Sequence, residues 1–451
     1  MNFLALTLLV ALGTILFVLP RRWAPVPLLA AALYMTAGQG VELGSLSLPA
    51  YRVMLMLGFL RALLRREYLI GGVNSIDRLM LAWACWVILA SFFHLSEPGS
   101  GPVFAAGYAM NVALSYFLVR AWCRGLDEVH GLLKVVGILL APVALSMAFE
   151  HFLEKNLFAM LGGASELVSA RDGKIRSQGP FQHSILAGTV GSASVAYMIA
   201  IWKQHRTFAA VGLVASITMV LSSNSSGPLM SLVVTVAAIV AWRWRYWTKA
   251  LRYAALALYF MLEIVMPAPA YYVISKFDLT GSSTGWHRGK LIESAIEHFS
   301  EWWLFGTDYT FHWTGVANWS QRHSDITNYY IAIGVVGGFP ALLLTIMMMW
   351  RAFAWVGSLA KGDEISSVQH KFSIWCLGAG LFSLAASSLS VAYFDQSVVF
   401  FWLNVSLISL LHSSSTHTQT DSGLARGAAS PCRPTSRASA HRASQLQARD
   451  P

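Results

Sequence analysis

The chain has 451 residues, 56% of them hydrophobic and only 12% charged, with a net charge of +10 and a mean hydropathy of +0.54. Soluble domains rarely reach such values, so they exclude a soluble enzyme and predict an all-α, polytopic integral membrane protein. The positive charge does not point to nucleic acid, because membrane topology and a basic carboxy-terminal tail account for most of it.

A membrane span needs about 20 mainly apolar residues. Candidates follow one another at 2–20, 25–38, 48–64, 76–95, 103–122, 129–149, 183–202, 207–222, 227–242, 251–270, 326–350, 372–394 and 397–411. That predicts 12 or 13 transmembrane helices, the second and the last candidates being short. The first stretch has neither a basic leader nor a small-residue cleavage site, so it reads as a retained span. The chain then divides into amino-terminal spans to residue 149, a first outer loop at 150–182, central spans at 183–270, a large outer loop at 271–325, carboxy-terminal spans at 326–411 and a tail at 412–451. The tail is rich in Ser, Ala and Gln without apolar periodicity, and is expected to be disordered and cytoplasmic, where its arginines meet anionic headgroups.

Short cytoplasmic loops retain Lys and Arg. Placing the amino terminus outside puts 23 of the 32 basic residues in the cytoplasm. The nine left outside are Arg52, Lys155, Arg171, Lys174, Arg176, Lys276, Arg288, Lys290 and Arg322, and all but Arg52 lie in the two outer loops. An anionic ligand at the outer surface explains cations kept on the disfavoured side; long translocated loops that escape the charge rule are the alternative. The intramembrane Arg52, Lys134 and Glu263 lie close enough to span ends to snorkel. Asn111, Asn328, Asn404 and the serines of Ser222-Ser223-Asn224-Ser225-Ser226 are expected to make helix–helix hydrogen bonds. The four cysteines, Cys85, Cys123, Cys376 and Cys432, suit neither a bridge nor a zinc site.

In the first outer loop, Arg171 to Arg176 and then Gly179-Pro180-Phe181 lead into a helix near His183. Basic side chains beside the free N–H groups of a helix start make a phosphate cradle, with a solvated basic turn as the other reading. In the second, Leu291, Ile292, Ala295, Ile296, Phe299, Trp302 and Trp303 share one side of a helical wheel, which predicts an amphipathic helix on the outer membrane interface. Arg288 opens that helix. His287, His298, His312 and His323 stand eleven, fourteen and eleven residues apart, which matches no helical pair of metal ligands, so no metal is expected. His323 is different because it precedes an apolar helix by three residues and is fixed in depth; a structural cap is its bland alternative.

These features together resemble the O-antigen ligase and O-antigen polymerase superfamily of bacterial envelope glycosyltransferases. The likeness covers about Arg176 to Gly338. His323-Ser324, nine residues, and then Gly334 and Gly337 fit the ligase branch's His, small polar residue and G-x-x-G register. Arg176 ahead of Gly179-Pro180-Phe181, and Arg288 ahead of Trp303-Leu304-Phe305-Gly306, are similar to the family's two loop arginines. Two positions depart from the pattern: Ser225-Ser226-Gly227-Pro228 lacks an arginine that many members carry, and Gly338-Phe339 replaces Thr-Arg. The resemblance implies a multi-pass protein of the bacterial inner membrane with its amino terminus periplasmic and its carboxy terminus cytoplasmic. Its large periplasmic loop would carry the amphipathic helix and catalysis.

The implied reaction transfers a glycan from undecaprenyl diphosphate to an acceptor hydroxyl on lipid A core, a growing glycan or a protein, without cofactor. In that reading His323 is the general base, worth roughly two to four powers of ten in rate. Arg176 and Arg288 bind the diphosphate through their forked, permanently charged guanidinium groups. Lys174, Arg322 and Asp325 are further contributors. A transporter or flippase for a lipid-linked saccharide is the alternative, although it would be expected to carry a polar pathway through the bilayer centre.

Overall fold

A computed structural model describes residues 1–36, 38–43, 46–94, 100–171, 173–273, 284–314, 324–362 and 367–428. Its secondary structure is almost wholly helical. In chain order the helices are α1 (Phe3–Val18), α2 (Pro25–Tyr34), α3 (Ala50–Leu64), α4 (Ser75–Ser91), α5 (Ser100–Trp122), α6 (Leu126–Leu153), α7 (Ser184–Ala200), α8 (Arg206–Ser222), α9 (Ser226–Val240), α10 (Thr248–Val265), α11 (Thr284–Glu297), α12 (Tyr329–Lys361), α13 (Val368–Ser387) and α14 (Ser397–Ala428). Two small hairpins complete the fold: β1 (Gly40–Leu43) with β2 (Leu46–Pro49), and β3 (Ser169–Arg171) with β4 (Lys174–Arg176). Among the described residues, five segments are long and apolar enough to cross a membrane: Gly101–Trp122, Leu126–Leu153, Ser226–Ala250, Tyr329–Lys361 and Ser397–Ser415. Such a set is consistent with a multi-pass membrane protein.

Every helix except α11 runs between the two ends of one bundle, reversing direction at each connection. Lys361, ending α12, bonds Thr248, opening α10, and Trp355 stacks on His412, so these residues share one end. At the other end Tyr329 N–H donates to the Ser388 carbonyl at 2.8 Å, and Asn328 caps α12 by accepting from the Tyr330 and Ile331 N–H groups while donating to Leu389 O. Helix α7 is buried almost all round. Its small residues permit this: a Cβ on Gly188 would lie 2.7 Å from Pro228, and one on Gly191 would lie 2.8 Å from the Ser216 carbonyl. With no hydrophobic drive between helices in lipid, such close backbone approach and side-chain hydrogen bonds hold a bundle together. Asn404 to Tyr197 and Asn111 to Tyr51 at 3.0 Å are two of those bonds, as anticipated.

Helix α12 breaks at Gly337 and Gly338, the latter at φ +72°. The residues after α11 fill the break: Phe339 N–H donates to Trp303 O and Thr307 N–H to Val335 O, both at 2.8 Å. Trp86 Nε1 reaches the Gly337 carbonyl, also at 2.8 Å. Gly334 lies under the Trp302 ring, which a Cβ would meet at 2.6 Å. The G-x-x-G register is therefore where the large loop docks on the helix.

Two expectations need correction. The apolar side of α11 and the turn after it is divided rather than laid wholly on an interface. Leu291, Ala295 and Trp302 are buried against Trp313, Ile331 and Val335, because the opened start of α12 offers them an apolar partner; Ile296, Phe299 and Trp303 remain exposed. The expected disorder from residue 412 also fails in part. Helix α14 continues to Ala428, with Ser413 buried and bonded to Asn74 at 2.9 Å, and the stack on Trp355 holds His412. Cys85, Cys123 and Cys376 are free thiols.

Candidate functional site

The hairpin β3–β4 pairs Ser169 with Arg176 and Arg171 with Lys174, which sets its basic side chains together. It rests on the α8–α9 connection: Ser177 N–H donates to Ser222 O at 3.0 Å and Asn224 Nδ2 donates to Ile175 O at 2.6 Å. Asn224 turns the chain there in the left-handed region, φ +43°, which Asn tolerates better than most residues. The Arg176 guanidinium donates to Ser225 Oγ from Nη2 at 2.6 Å and from Nε at 3.2 Å.

The segment after the hairpin is held by buried acids. Glu150 accepts from the Gln178 and Gly179 N–H groups at 3.0 and 2.9 Å, and Asp395 accepts from Gln182 N–H at 3.0 Å. Burial raises the Asp395 pKa, while backbone N–H donors from Ser397 and Gln182 oppose that rise. Asn156 donates to Gly179 O at 2.8 Å and Gln396 to Pro180 O at 2.9 Å. The predicted phosphate cradle is consequently altered. The Gln182 N–H is taken by Asp395, and His183 caps α7 by accepting from Ile185 N–H at 3.3 Å.

A cavity of ≈ 440 Å³ opens beside this hairpin. Arg171, Lys174 and Arg176 line it from the first loop, Ser225 to Gly227 from the start of α9, His287 and Arg288 from the first turn of α11, and Asp325 and Thr327 from the approach to α12. His183, at the start of α7, completes the ring of polar groups. No side chain caps the first turn of α9, since Ser225 Oγ receives Arg176 and donates to Ser223 O. Several helix starts thus face one cavity, each with its partial positive charge. Burial, and then the neighbouring Arg171, lower the Arg176 pKa from its ordinary value, but a guanidinium stays charged at neutral pH. Surrounding protein and then Arg176 lower the His183 pKa against the opposing pull of Asp325, although the residue as a whole is exposed.

Four of the residues singled out from sequence, Lys174, Arg176, Arg288 and Asp325, therefore meet around one space although two loops distant in sequence supply them. His323 and Arg322 lie outside the described residues. Their neighbour Ser324 is buried and its N–H donates to Thr310 Oγ1 at 3.0 Å. Sequence reasoning missed His183, His287 and Ser225. The serine cluster was assigned to helix–helix bonds, but Ser225 and Ser226 line the cavity; their position just before a span, opposite a basic loop, was the available signal. No family model matches the chain, and no curated protein is significantly similar to it.

Proposed function

We propose that this chain is a membrane glycosyltransferase of the O-antigen ligase/polymerase type. It transfers a glycan from undecaprenyl diphosphate to an acceptor hydroxyl at the periplasmic face of the bacterial inner membrane. The observation that carries the reading is the convergence of Arg171, Lys174, Arg176, His287 and Arg288 on one cavity fringed by helix starts. A cation-lined space of this kind suits a diphosphate, and a titratable base must then stand beside it. His323, two residues from the cavity-lining Asp325, takes that role.

In the reaction the acceptor oxygen attacks the anomeric carbon of the sugar while the bond from that carbon to the diphosphate oxygen breaks. The electron pair leaves with the diphosphate, and His323 takes the hydroxyl proton. Arg176 and Arg288 neutralise the charge that grows on the leaving group, and donors fixed before the reaction do this best. Lys174 and Arg322 add charge, and Asp325 orients a cation or the acceptor. No step is assigned to a metal ion. The proposal includes 12 or 13 spans, a periplasmic amino terminus and a cytoplasmic carboxy terminus. Support comes from the gathering of both basic outer loops at the bundle end where α1 begins, with Asn2 bonded to Met160 O at 3.0 Å.

The test is transfer from a synthetic undecaprenyl-diphosphate oligosaccharide by purified protein in detergent, with lipid A core, glycan and peptide acceptors. Wild-type turnover that is lost in both His323→Ala and Arg288→Ala is the expected result, and the productive acceptor names the branch. Full activity in His323→Ala removes that residue from the mechanism. Arg288-dependent lipid binding without turnover on any acceptor transfers the reading to a carrier for lipid-linked saccharides.

A further inference from the structure

At the far end of α11 from the cavity, three side chains meet whose sequence spacing gave no sign of it. His298 opens the single turn Phe299–Trp302, and Glu301, three residues on, projects from the same side. A second single turn, Phe311–Thr314, brings His312 over them. His312 Nε2 lies 3.0 Å from each Glu301 oxygen, and the two imidazoles cross edge to face with centroids 4.9 Å apart. One ring nitrogen of each histidine and a carboxylate oxygen of Glu301 lie within 4.8 Å of one another.

The surroundings hold these groups as metal ligands are held. The Ser294 carbonyl lies 2.8 Å from His298 Nδ1. A carbonyl only accepts, so Nδ1 carries the proton and Nε2 keeps a lone pair for a ligand, as a backbone acceptor fixes a ligating histidine. Trp313 stacks on His298 with centroids 5.7 Å apart, and its Nε1–H donates to Glu301 Oε2 at 3.1 Å, orienting the carboxylate. Tyr309 stacks on His312 at 5.1 Å.

We propose that His298, Glu301 and His312 form a binding site for a divalent transition-metal ion of the zinc class, with water completing the coordination. Two imidazoles and one carboxylate suit zinc, cobalt or nickel rather than calcium or magnesium. Tetrahedral ligands stand roughly 3.4 Å apart when each is about 2.1 Å from the metal, so the widest pair of the trio needs to close by about 1.4 Å. The surface position of Glu301 and His312 leaves room for that movement. The ion's role is to fasten the end of α11 to the segment 311–314, from which the chain leads to His323. It takes no direct part in chemistry at the cavity, because Arg288 and His298 are ten residues apart, or about 15 Å along a helix. The site stands independently of the glycosyl-transfer reading.

The experiment is metal binding by the full-length protein in detergent, stripped with chelator, dialysed, and titrated with Zn²⁺ and separately with Co²⁺. Wild type is expected to take up one equivalent more zinc than His298→Ala or His312→Ala, and to show a cobalt absorption band that both variants lack. Glu301→Gln is expected to weaken binding at least tenfold. His151→Ala, a change at an exposed histidine elsewhere, is expected to bind as wild type does. Zinc is also expected to raise the melting temperature of wild type but not of the two histidine variants. Equal stoichiometry in wild type and the two histidine variants, or no uptake by wild type, overturns the site and leaves His312 and Glu301 as an ordinary hydrogen-bonded surface pair.

Discussion

The two ends of the bundle use arginine differently. Away from the cavity, arginines are consumed by structure. Arg61 is fully buried, bonded to the Leu16 carbonyl at the end of α1 and to Glu67 at 3.0 Å, and its guanidinium lies over the Trp122 ring. Arg21 reaches Ala121 O at the end of α5, and Arg65 reaches Phe17 O at 2.5 Å. Each satisfies carbonyls that a helix end leaves orphaned, where the helix dipole also favours a cation. At the cavity end Arg176 hydrogen-bonds the Ser225 hydroxyl and lines the cavity with Lys174. The same side chain is thus a cap where carbonyls converge and, in the proposed function, a ligand group where helix starts converge. Charge counting along the sequence does not separate these roles, because the direction of the neighbouring helices decides between them.

The largest expected effect breaks the structural end. Arg61→Ala strands the Glu67 carboxylate and the Leu16 carbonyl in the interior, and removing one partner of a buried ion pair costs about 3–5 kcal/mol. The expected outcome is loss of monodisperse protein on size-exclusion chromatography in detergent. Survival with an unchanged melting temperature would remove the distinction between the ends.

Next comes the joint between the large loop and α12. Gly338 sits at φ +72°, ψ −179°, a region open essentially to glycine alone at a cost of about 1–3 kcal/mol for other residues. A Cβ there would also fall 2.0 Å from Leu304 O. Gly338→Ala is expected to lower the melting temperature and speed hydrogen exchange in 303–307, whereas Gly357→Ala, with nothing near its Cβ, changes neither.

That joint marks the limit of what the sequence discloses. Composition and apolar run length predict the helical class, and the surplus outer cations predict both basic loops. Lys174, Arg176 and Arg288 could be chosen from sequence because cations expected on the disfavoured side of a membrane demand a reason, whereas Asp325 could be chosen only as a contributor beside His323. The glycines could be seen, but their purpose could not, since Gly334 and Gly338 answer to Trp302 and Leu304 across a loop. Likewise the division of the α11 face depends on where α12 opens, and His298 and His312 are joined by a fold-back that no helical period encodes. Local pattern records each segment's own preference; contacts between segments follow from the whole packing.

Weakening the cavity end should leave the fold alone. Arg176→Ala removes hydrogen bonds to a charged ligand worth about 1.5–3 kcal/mol, so affinity for inorganic pyrophosphate is expected to fall roughly 10- to 150-fold by isothermal titration with little change in melting temperature. Arg176→Lys keeps the charge but loses the fork and should fall between the two. Unfolding of Arg176→Ala would class this arginine with Arg61 instead.

The smallest effect sharpens the comparison most, because it concerns a proton. His183 lies beside Arg176, which together with the surrounding protein lowers its pKa, and Asp325 works in the opposite direction. The folded protein therefore prefers the neutral ring. His183 costs no stability above the ordinary histidine pKa of about 6.5, and a penalty grows as pH falls from there through the lowered folded value. An anion in the cavity offsets Arg176 and draws the pKa back up, so binding takes up a proton within that window. Pyrophosphate affinity is accordingly expected to gain a few-fold between about pH 7.5 and 5.5 beyond any gain in His183→Gln, which shares the ligand's own titration. The gain is kept small because the nitrogen that would take the proton, Nδ1, already accepts from Ile185 N–H. Identical slopes in the two proteins would mean that the anion sits beyond the field of His183, and that this histidine serves α7 as Arg61 serves α1.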